Sequence, residues 1–399
     1  MSASLPRVAV IFGGCSPEHD VSIITGLQTL AAIDTTAYAP FPVYIDLRGQ
    51  WYIGPTLTAR ETYIPSAESK RHLTPVRLDA SVREQGILHP IARTMFRPTK
   101  PIEFDIALPA LHGLTGENGS LQGLFELINL PYTGMRHLAG AVFMDKVATK
   151  NHLRSYNIPL LPATTIPKPT QGLMLDDKTL KNICKTLDFP CCVKPRHLGS
   201  SIGVAKVDNA DELNAVLPEV FKYDTHAIVE PFVPHLVEYN VAVLRQPDGT
   251  VITSAIEQPK RTEDLLDFKQ KYGAGGKSGQ KSGAASEGML SLTRDINPKL
   301  PAKLEKAIRS HAATAFDALG GTGAPRVDFL CNGETGEIWL NEVNPTPGSM
   351  GYFLWEAASE SLLFTELLSH LLTEARTYQT QTRLPADPVP PAGQLFKRS

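Results

Sequence analysis

Short apolar runs alternate with helical patterns along the first part of the chain. Runs at residues 7–13, 41–46 and 104–111 contain few polar positions, and the first of them ends in a pair of glycines. Apolar runs of this length are typical of parallel strands that are buried on both faces. A helix is expected to begin near Val21. The pattern predicts an α/β domain at the N-terminus.

Two later segments have apolar residues spaced as on one face of an amphipathic helix. The first spans 121–128 and follows an Asn-Gly-Ser capping sequence, and the second spans 304–319 and ends in two glycines. Capping residues before such a pattern and glycine after it are common at helix ends. A further helix is expected at 211–221, between apolar strands at 189–195 and 227–232.

Polar and apolar positions alternate in two stretches near the C-terminal end. Arg326 and Asp328 share one face of the first stretch, and Glu342 and Asn344 share one face of the second. Because side chains alternate between the faces of a strand, a hairpin of the two stretches brings two carboxylates, an amide and a guanidinium together. Such oxygen ligands suit Mg²⁺ that substrate phosphates also hold. A solvated strand face is the alternative, which the bulky apolar neighbours disfavour.

A lysine and a loop of glycine and serine follow another apolar run. Lys194 lies near the end of the run, and Gly199-Ser200-Ser201-x-Gly203 comes shortly after it. An ammonium and backbone N–H groups in this arrangement can hold phosphate oxygens. The Walker A spacing is absent, and the loop alone is equally compatible with an ordinary turn.

Two polar residues lie just beyond predicted strands of the N-terminal domain. Glu18 is suited to bind a substrate ammonium, or to cap the following helix near its positive end. The spacing G-x-G-x-x-G is absent from this loop, so a dinucleotide site is disfavoured. His112 is suited either to a substrate or to a structural role.

Proline-rich and glycine-rich stretches divide the chain. Prolines cluster at 159–169, which predicts a domain boundary near 140–165. Residues 273–288 are too poor in apolar groups to bury themselves, so they form either a disordered insert or a mobile lid. The expected units are an N-terminal substrate-binding domain at 1–140, a central domain at 141–235, a catalytic domain at 236–380 with a mobile lid at 262–290, and a disordered tail at 381–399.

Composition limits the class of partner. The chain has 399 residues, with 39 lysines and arginines against 41 acidic residues and a formal net charge of -2. No global charge therefore attracts nucleic acid or a membrane surface. No uncharged apolar run is long enough to span a membrane, and the 5 cysteines lack a C-x-x-C pair, which favours the reducing cytoplasm over a disulfide or zinc framework. Small molecules are the expected partners.

Taken in order along the chain, these segments resemble the D-alanine–D-alanine ligase family of the ATP-grasp superfamily. The similar stretches are VAVIFGGCSPEHDVS, LHGLTGENGSLQGLFELINLPYTG, MDKVATK, VKPRHLGSSIGV, IVEPFVPHLVEYNVAVL and GAPRVDFLCNGETGEIWLNEVNPTPG. They cover much of residues 7–350. The resemblance implies a mixed α/β ATP-grasp fold, with a Rossmann-like parallel N-terminal domain, a small central domain and a C-terminal catalytic domain. It also implies a homodimer.

The resemblance assigns nucleotide and metal to matching residues. For ATP it implies Lys146 and Lys194 at the phosphates with Ser201 in the adjoining loop, Glu230 and Val233 at the adenine, Glu238 at the ribose, and Lys271 on the mobile loop. For two Mg²⁺ ions, or Mn²⁺ in their place, it implies Asp328, Glu342 and Asn344.

The resemblance also assigns the reacting groups. The implied reaction activates a D-alanine carboxylate with the γ-phosphate of ATP and joins it to the amine of a second D-alanine for peptidoglycan synthesis. The implied residues are Glu18 for the first ammonium, tied through Ser200 to Tyr272, Arg326 and the backbone of Gly348 for the tetrahedral intermediate, and His112, Phe353 and Leu354 for the substrates. Because acyl phosphates hydrolyse, the family's closing lid favours a lid at 273–288 as well.

The chain departs from the family pattern at three places. Glu230 precedes a proline where the family has lysine, and the lid is longer and richer in glycine, serine and lysine. Phe353 stands where the family has a serine that binds the carboxylate of the second substrate. A ligase for a different amino acid or amine acceptor is therefore one alternative. A non-catalytic nucleotide-binding protein is another, which the retained Lys194 and Arg326 disfavour.

Overall fold

The computed structural model describes residues 4–63, 73–81, 85–91, 100–199, 202–260 and 294–382. The expected lid at 262–290, with its segment 273–288, lies outside these residues. Helices and three sheets form the described part of the chain, and this mixed α/β architecture confirms the expected fold class.

The N-terminal sheet is mixed rather than parallel. Its strands are β1 (Arg7–Gly13), β2 (Ala39–Ile45), β3 (Trp51–Ile53), β4 (Thr74–Leu78), β5 (Gly86–Pro90), β6 (Ile102–Phe104) and β7 (Ile106–Pro109), in the order β6-β5-β4-β3-β2-β1-β7. Strand β1 pairs in parallel with β2 and β7, whereas the other pairs among the described strands of this sheet are antiparallel. Asp46 Oδ1 accepts from the N–H groups of Arg48 and Gln50 at 2.9 and 3.0 Å, which closes a tight turn after β2. A turn this short joins antiparallel strands, so the expected parallel domain is corrected.

The apolar run at 104–111, expected as one strand, is divided at Asp105. The N–H of Asp105 donates to the carbonyl of Arg7 at 2.9 Å, and the Asp105 carboxylate accepts from the N–H of Arg7 at 2.7 Å. These bonds fix Asp105 at the start of β1. Strand β6 then pairs with β5, whereas β7 pairs with β1.

The helices of the first half are α1 (His19–Ala32), α2 (Leu114–Glu117), α3 (Ser120–Leu127), α4 (His137–Met144) and α5 (Lys146–Leu153). Helix α1 begins two residues before the expected Val21. Asp145 caps α5 by accepting from the N–H groups of Val147 and Ala148 at 2.9 and 3.0 Å. This cap fixes Lys146 at the first position of α5.

The central sheet is antiparallel. It contains β8 (Thr164–Pro167), β9 (Cys191–Pro195), β10 (Ala205–Val207) and β11 (His226–Pro231) in the order β10-β9-β11-β8, with helices α6 (Asp177–Cys184) and α7 (Ala210–Val220). Leu180 of α6 and Leu213 of α7 pack in one core with Val193 of β9. Strands β9 and β11 and helix α7 lie where the sequence predicted them.

The C-terminal sheet is also antiparallel. It contains β12 (Leu236–Arg245), β13 (Val251–Pro259), β14 (Arg294–Ile296), β15 (Arg326–Asn332) and β16 (Ile338–Asn344) in the order β14-β13-β12-β15-β16, with helices α8 (Ala302–Asp317), α9 (Tyr352–Glu356) and α10 (Phe364–Thr382). The predicted hairpin of β15 and β16 is present. Helix α10 ends at Thr382, and residues 383–399 of the expected tail lie outside the described residues.

One hydrophobic cluster joins the two ends of the chain. Val10 and Phe12 of β1 share it with Trp355 of α9 and with Leu367 and Leu371 of α10. Burying such side chains contributes about 1.5–3 kcal/mol each relative to leaving them exposed. The cluster holds the loops of the N-terminal sheet against the end of β16, where the polar residues of the candidate site converge.

Candidate active site

The hairpin of β15 and β16 brings the predicted polar side chains together. Asp328 lies opposite Glu342 in the register, and Arg326 lies opposite Asn344. The Arg326 guanidinium donates to both carboxylate oxygens of Asp328 at 2.7 Å, and Asn344 Nδ2 donates to the same carboxylate at 2.9 Å. The convergence expected from period-two alternation is confirmed.

Burial and neighbouring charges shift the pKa values of the two hairpin carboxylates in opposite directions. Burial raises the pKa of Asp328, and the adjacent Glu342 charge adds to this while Arg326 opposes it. Burial also acts to raise the pKa of Glu342, but Lys146 and Lys194 bring that pKa below its ordinary value. Glu342 therefore ionises more readily than Asp328, and a bound cation would favour the ionised form of both carboxylates.

Two lysines reach the hairpin from other elements. Lys146, at the start of α5, lies 3.1 Å from Glu342 Oε2 through its Nζ and donates to the carbonyl of Leu198 at 2.6 Å. Lys194, on β9, donates from its Nζ to Asn341 Oδ1 at 2.8 Å. Three separate elements thus bring cations and carboxylates to one place.

Glu230 on β11 is buried between two lysines. Its carboxylate oxygens lie 2.7 Å from Lys150 Nζ and 2.7 Å from Lys194 Nζ. Burial acts to raise its pKa, but the two lysines outweigh burial and lower the pKa to about 2. Lys150 was missed in the sequence analysis, although it follows Lys146 by four residues and so lies on the same face of α5. Glu230 orients Lys194 in this structure.

Two further residues predicted at the nucleotide, Val233 and Glu238, lie close to Glu230 along the chain. Val233 is buried just beyond β11. Glu238 is half-buried on β12. The predicted residues Ser200, Ser201, Lys271 and Tyr272 lie outside the described residues.

Glu18 faces the cavity and does not cap its helix through its side chain. It occupies the N-cap position of α1, where its side chain makes no capping hydrogen bond. Side-chain capping, one of the two roles left open for Glu18, is therefore not observed, and the ligand-binding role stays a prediction. The small cavity that it lines also involves Glu117, Lys146, Gly199, Glu342 and Asn344.

Glu117 is a buried carboxyl that was not predicted as a site residue. It accepts from the N–H of Gly113 at 2.5 Å and from the N–H of Thr346 at 2.9 Å. Burial and the nearby Glu18 raise its pKa to about 8. Its only sequence signal was its place in a stretch that carries the family resemblance. Glu117 therefore connects α2 to the loop that follows β16.

His112 holds the same loop from the other side. Its Nδ1 lies 2.8 Å from the carbonyl oxygen of Thr346, and its Nε2 lies 2.8 Å from Thr25 Oγ1. The N–H of Ser349 donates to Thr25 Oγ1 at 3.0 Å. Because a carbonyl can only accept, Nδ1 donates to Thr346 and Nε2 accepts from Thr25. Burial lowers the pKa of His112 to about 4, so the ring is neutral and both nitrogens are used by the protein.

The residues after β16 divide into a turn and a core helix. Gly348 opens a turn in which Ser349 and Met350 have φ of +53° and +54°, a region that non-glycine residues rarely adopt. Leu354, predicted as a substrate residue, is fully buried in the hydrophobic cluster that joins the two ends of the chain. Phe353 is half-buried, and the Arg294 guanidinium lies 4.6 Å from its ring centroid.

The donor set fits a metal ion that substrate phosphates also hold. Asp328, Glu342 and Asn344 offer oxygen atoms on one strand pair, and cationic side chains already neutralise the carboxylates. Within the described residues no group of three or more histidine, cysteine, aspartate or glutamate side chains could hold a metal ion by itself. Mg²⁺ is commonly bound by one or two carboxylates together with phosphates and water.

Both halves of the chain match models of one protein family. Residues 7–135 match the family model described as D-ala D-ala ligase N-terminus, and residues 153–373 match D-ala D-ala ligase C-terminus. A D-alanine–D-alanine ligase from Thermosipho africanus is 32% identical over 92% of this chain and 93% of its own length. One from Bacillus velezensis is 30% identical over 94% of this chain and 99% of its own length.

Solved structures agree with the sequence relatives. The D-alanine-D-alanine ligase from Coxiella burnetii has a TM-score of 0.72 at 25% identity, covering 95% of this chain and 96% of its own. The VanG D-Ala:D-Ser ligase from Enterococcus faecalis has a TM-score of 0.73 at 27% identity, covering 93% of this chain and 100% of its own. The mixed α/β fold is that of an ATP-grasp ligase. The chain belongs to the D-alanine–D-alanine ligase family.

Membrane insertion through a helix finds no support in the described part of the chain. None of its helices has the length and apolar content that crossing a bilayer requires.

Proposed function

We propose that this chain is an ATP-dependent D-alanine–D-alanine ligase that supplies the dipeptide for peptidoglycan synthesis. The observation that carries the proposal is the buried cluster of Asp328, Glu342 and Asn344 with Arg326 and Lys146, in a chain of this family. A scaffold without a reaction has no need for such a cluster, because buried charges are costly unless they are used or fully paired.

The reaction consists of two balanced steps. A carboxylate oxygen of the first D-alanine attacks the γ-phosphorus of ATP, and the bond to ADP breaks, which gives an acyl phosphate. The amine nitrogen of the second D-alanine attacks the acyl carbon, and phosphate leaves together with the carboxylate oxygen that attacked. The ammonium of the second D-alanine releases its protons to solvent. Charge neutralisation, rather than covalent catalysis by the protein, is the main requirement of both steps.

Each charged residue has a role in this scheme. Lys146 and Lys194 hold phosphate oxygens, and their present carboxylate and amide partners keep them oriented before ATP binds. Glu18 binds the ammonium of the first amino acid. Arg326 and the N–H of Gly348 stabilise the oxyanion of the tetrahedral intermediate. The phosphates of ATP replace the carboxylate and amide partners that Lys146 and Lys194 have before ATP binds.

Magnesium completes the charge balance. Asp328, Glu342 and Asn344 are the residues that would hold it, as two ions, with Mn²⁺ as a substitute. Bound Mg²⁺ supplies Lewis-acid stabilisation of the transferring phosphoryl group. The ions would also let Asp328 and Glu342 remain ionised side by side.

The proposal extends to organisation and location. The nucleotide lies between a central domain at 141–235 and a catalytic domain at 236–380, and residues 1–140 bind the first substrate. The protein acts in the cytoplasm as a homodimer. The free thiols of all 5 cysteines, which are all in described residues, support a reducing compartment.

The deciding assay supplies purified protein with ATP, Mg²⁺ and D-alanine, and follows phosphate release and product mass. We expect one phosphate for each D-alanyl-D-alanine formed. Phosphate release that requires a different acceptor contradicts D-alanine as the second substrate. A protein that binds ATP without releasing phosphate in the presence of any amino acid pair contradicts the ligase function.

A second candidate differs only in the acceptor. Phe353 occupies the position of the serine that the family resemblance assigns to the acceptor carboxylate, and a D-Ala:D-Ser ligase is among the similar structures. D-Serine and other D-amino acids therefore belong in the same assay as competing acceptors. The mass of the dipeptide distinguishes this candidate from the first.

A further inference from the structure

A second buried ion pair lies two strands away from Asp328 in the C-terminal sheet. Glu257 on β13 is opposite Asn240 on β12, and Asn240 is opposite Asp328 on β15. Neighbouring strands are about 4.8 Å apart, so Glu257 and Asp328 are roughly 10 Å apart across the sheet. Glu257 thus lies at substrate distance from the catalytic hairpin.

Glu257 and Arg294 leave one acceptor and one donor unused. Arg294 Nη1 lies 2.9 Å from Glu257 Oε1. Glu257 is 3% exposed, and its Oε2 has no hydrogen-bond partner among the described residues. Arg294 Nε is also buried and lacks a partner within the same part of the chain. Buried polar groups are nearly always paired in folded proteins, so Glu257 Oε2 and Arg294 Nε are candidate contacts for a polar ligand.

Phe353 lies beside Arg294 of the Glu257–Arg294 ion pair. The Arg294 guanidinium lies over its ring with 4.6 Å between Cζ and the ring centroid, which is a cation–π contact. The Arg294 side chain is 25% exposed, so part of the guanidinium remains accessible. Position 353 therefore offers no serine hydroxyl to an acceptor, but the Arg294 guanidinium lies beside it.

We propose that Arg294 binds the carboxylate of the acceptor amino acid, with Glu257 orienting Arg294 and accepting from an N–H of the acceptor's amine. The planar guanidinium matches a carboxylate, and Glu257 Oε2 offers the complementary acceptor. An α-amino acid carries both groups and satisfies both unused atoms. The proposal rests on the ligase function proposed above and names the residues that select its acceptor.

The test offers D-alanine and D-alaninamide at equal concentration as acceptors, with ATP and Mg²⁺, and measures both products by mass. The amide lacks the carboxylate that Arg294 would bind. We expect wild-type protein to favour D-alanine by about tenfold or more, and Arg294→Ala to lose most of this preference. Arg294→Lys should fall between the two, because an ammonium retains charge without the planar fork.

Arg245 provides a matched control. It is also a partly exposed arginine that pairs with an acidic residue, Asp317, at 2.5 Å and lies over a phenylalanine ring, that of Phe316 at 5.5 Å. Arg245→Ala should leave the product ratio unchanged. Melting temperatures of both alanine variants separate a loss of folding from a loss of selectivity.

A second-site variant gives the sharpest test. Phe353→Ser restores a hydroxyl beside the site, so adding it to Arg294→Ala should recover a preference for D-alanine. A folded Arg294→Ala protein with the wild-type product ratio overturns this inference while leaving the ligase function intact, as does an equal shift in Arg245→Ala. If wild-type protein forms neither product and releases no phosphate, the ligase function fails, and this inference fails with it.

Discussion

Cations are buried in two parts of this molecule, and their partners differ in kind. Arg136 lies over the rings of Tyr132 and Tyr378, with Cζ 3.8 and 4.6 Å from their centroids. Its Nη2 donates to the carbonyl oxygens of Tyr132 and Gly134 at 2.7 and 2.9 Å, and its Nε donates to Thr322 Oγ1 at 3.3 Å. Aromatic faces and backbone carbonyls thus satisfy this cation permanently.

The cations of the candidate site are satisfied differently. Lys146 and Lys194 contact side chains from separate elements, Glu342 and Asn341 of β16 and Glu230 of β11. Carboxylate and amide oxygens resemble phosphate oxygens as hydrogen-bond acceptors, so a bound phosphate can replace them. The contrast teaches that burial of a charge does not by itself mark a site. A binding site is instead indicated by charged groups whose present partners a ligand can replace.

The comparison is tested most strongly at Glu342. Glu342→Gln keeps the shape of the side chain but removes the charge that balances Lys146 and would help hold Mg²⁺. We expect kcat to fall by about 10³-fold or more, because the transferring phosphoryl group loses electrostatic support. Phosphate release with ATP, Mg²⁺ and D-alanine measures the loss, and circular dichroism checks that the fold is retained. Turnover within tenfold of wild type would remove Glu342 from the catalytic centre.

Arg136 should give the opposite result. Arg136→Met keeps the length of the side chain but removes the hydrogen bonds to carbonyls and the stacked charge. We expect the free energy of unfolding to fall by about 2–4 kcal/mol, with kcat of the folded protein within about twofold of wild type. Urea unfolding and initial rates measure the two quantities. A large fall in kcat without loss of stability would show that Arg136 contributes to the candidate active site.

Thr25 lies between these extremes, because its hydroxyl acts on the site through another residue. Thr25→Val removes the acceptor for the N–H of Ser349 and the donor for His112. Since Ser349 has a positive φ, we expect the turn beginning at Gly348 to lose order and kcat to fall by about tenfold, which is the effect of one hydrogen bond. Thr25→Ser retains the hydroxyl and should keep kcat within about twofold. Equal rates for the two variants would contradict the positioning role.

The smallest expected effect concerns pH and the segment that carries Lys146. His197 Nδ1 lies 3.1 Å from Asp224 Oδ2, and its Nε2 lies 3.4 Å from Asp145 Oδ2, the cap of α5. Hydrogen bonds to these carboxylates raise the pKa of His197 from 6.5 to about 9. Because the folded protein has the higher pKa, the stabilisation is complete below pH 6.5 and is lost as pH rises through about 9.

His197→Asn measures that contribution. The difference in unfolding free energy between wild type and variant should shrink between pH 6.5 and pH 9. It should also be modest and weaken with salt, because the side chain is 39% exposed. A difference that stays constant over this pH range would show that the histidine charge does not stabilise the fold.

Local patterns predicted the features that depend on one stretch of chain. The alternation around Asp328 and Glu342 predicted the hairpin because side-chain direction in a strand has a fixed period of two. Lys194 was predicted at the end of a strand, and β9 confirms it. The family resemblance added the expected roles and order of domains. None of these inferences required knowledge of long-range packing.

Features that depend on distant parts of the chain were not predictable in this way. Glu117 accepts from Thr346, which is 229 residues away, and Lys150 pairs with Glu230 of another element. The expected parallel sheet became mixed because short, weakly patterned strands follow β2. His112 was expected at the substrate, but the residues that engage both of its ring nitrogens, Thr25 and Thr346, become its neighbours only after folding.

The central claim is that the cluster around Asp328 and Glu342 activates a carboxylate as an acyl phosphate. D-Alanine labelled with ¹⁸O in its carboxylate tests this most directly, because the oxygen that attacks ATP leaves with phosphate when the peptide bond forms. We expect the released phosphate to carry one labelled oxygen for each dipeptide formed. Release of unlabelled phosphate alongside the dipeptide would contradict the account.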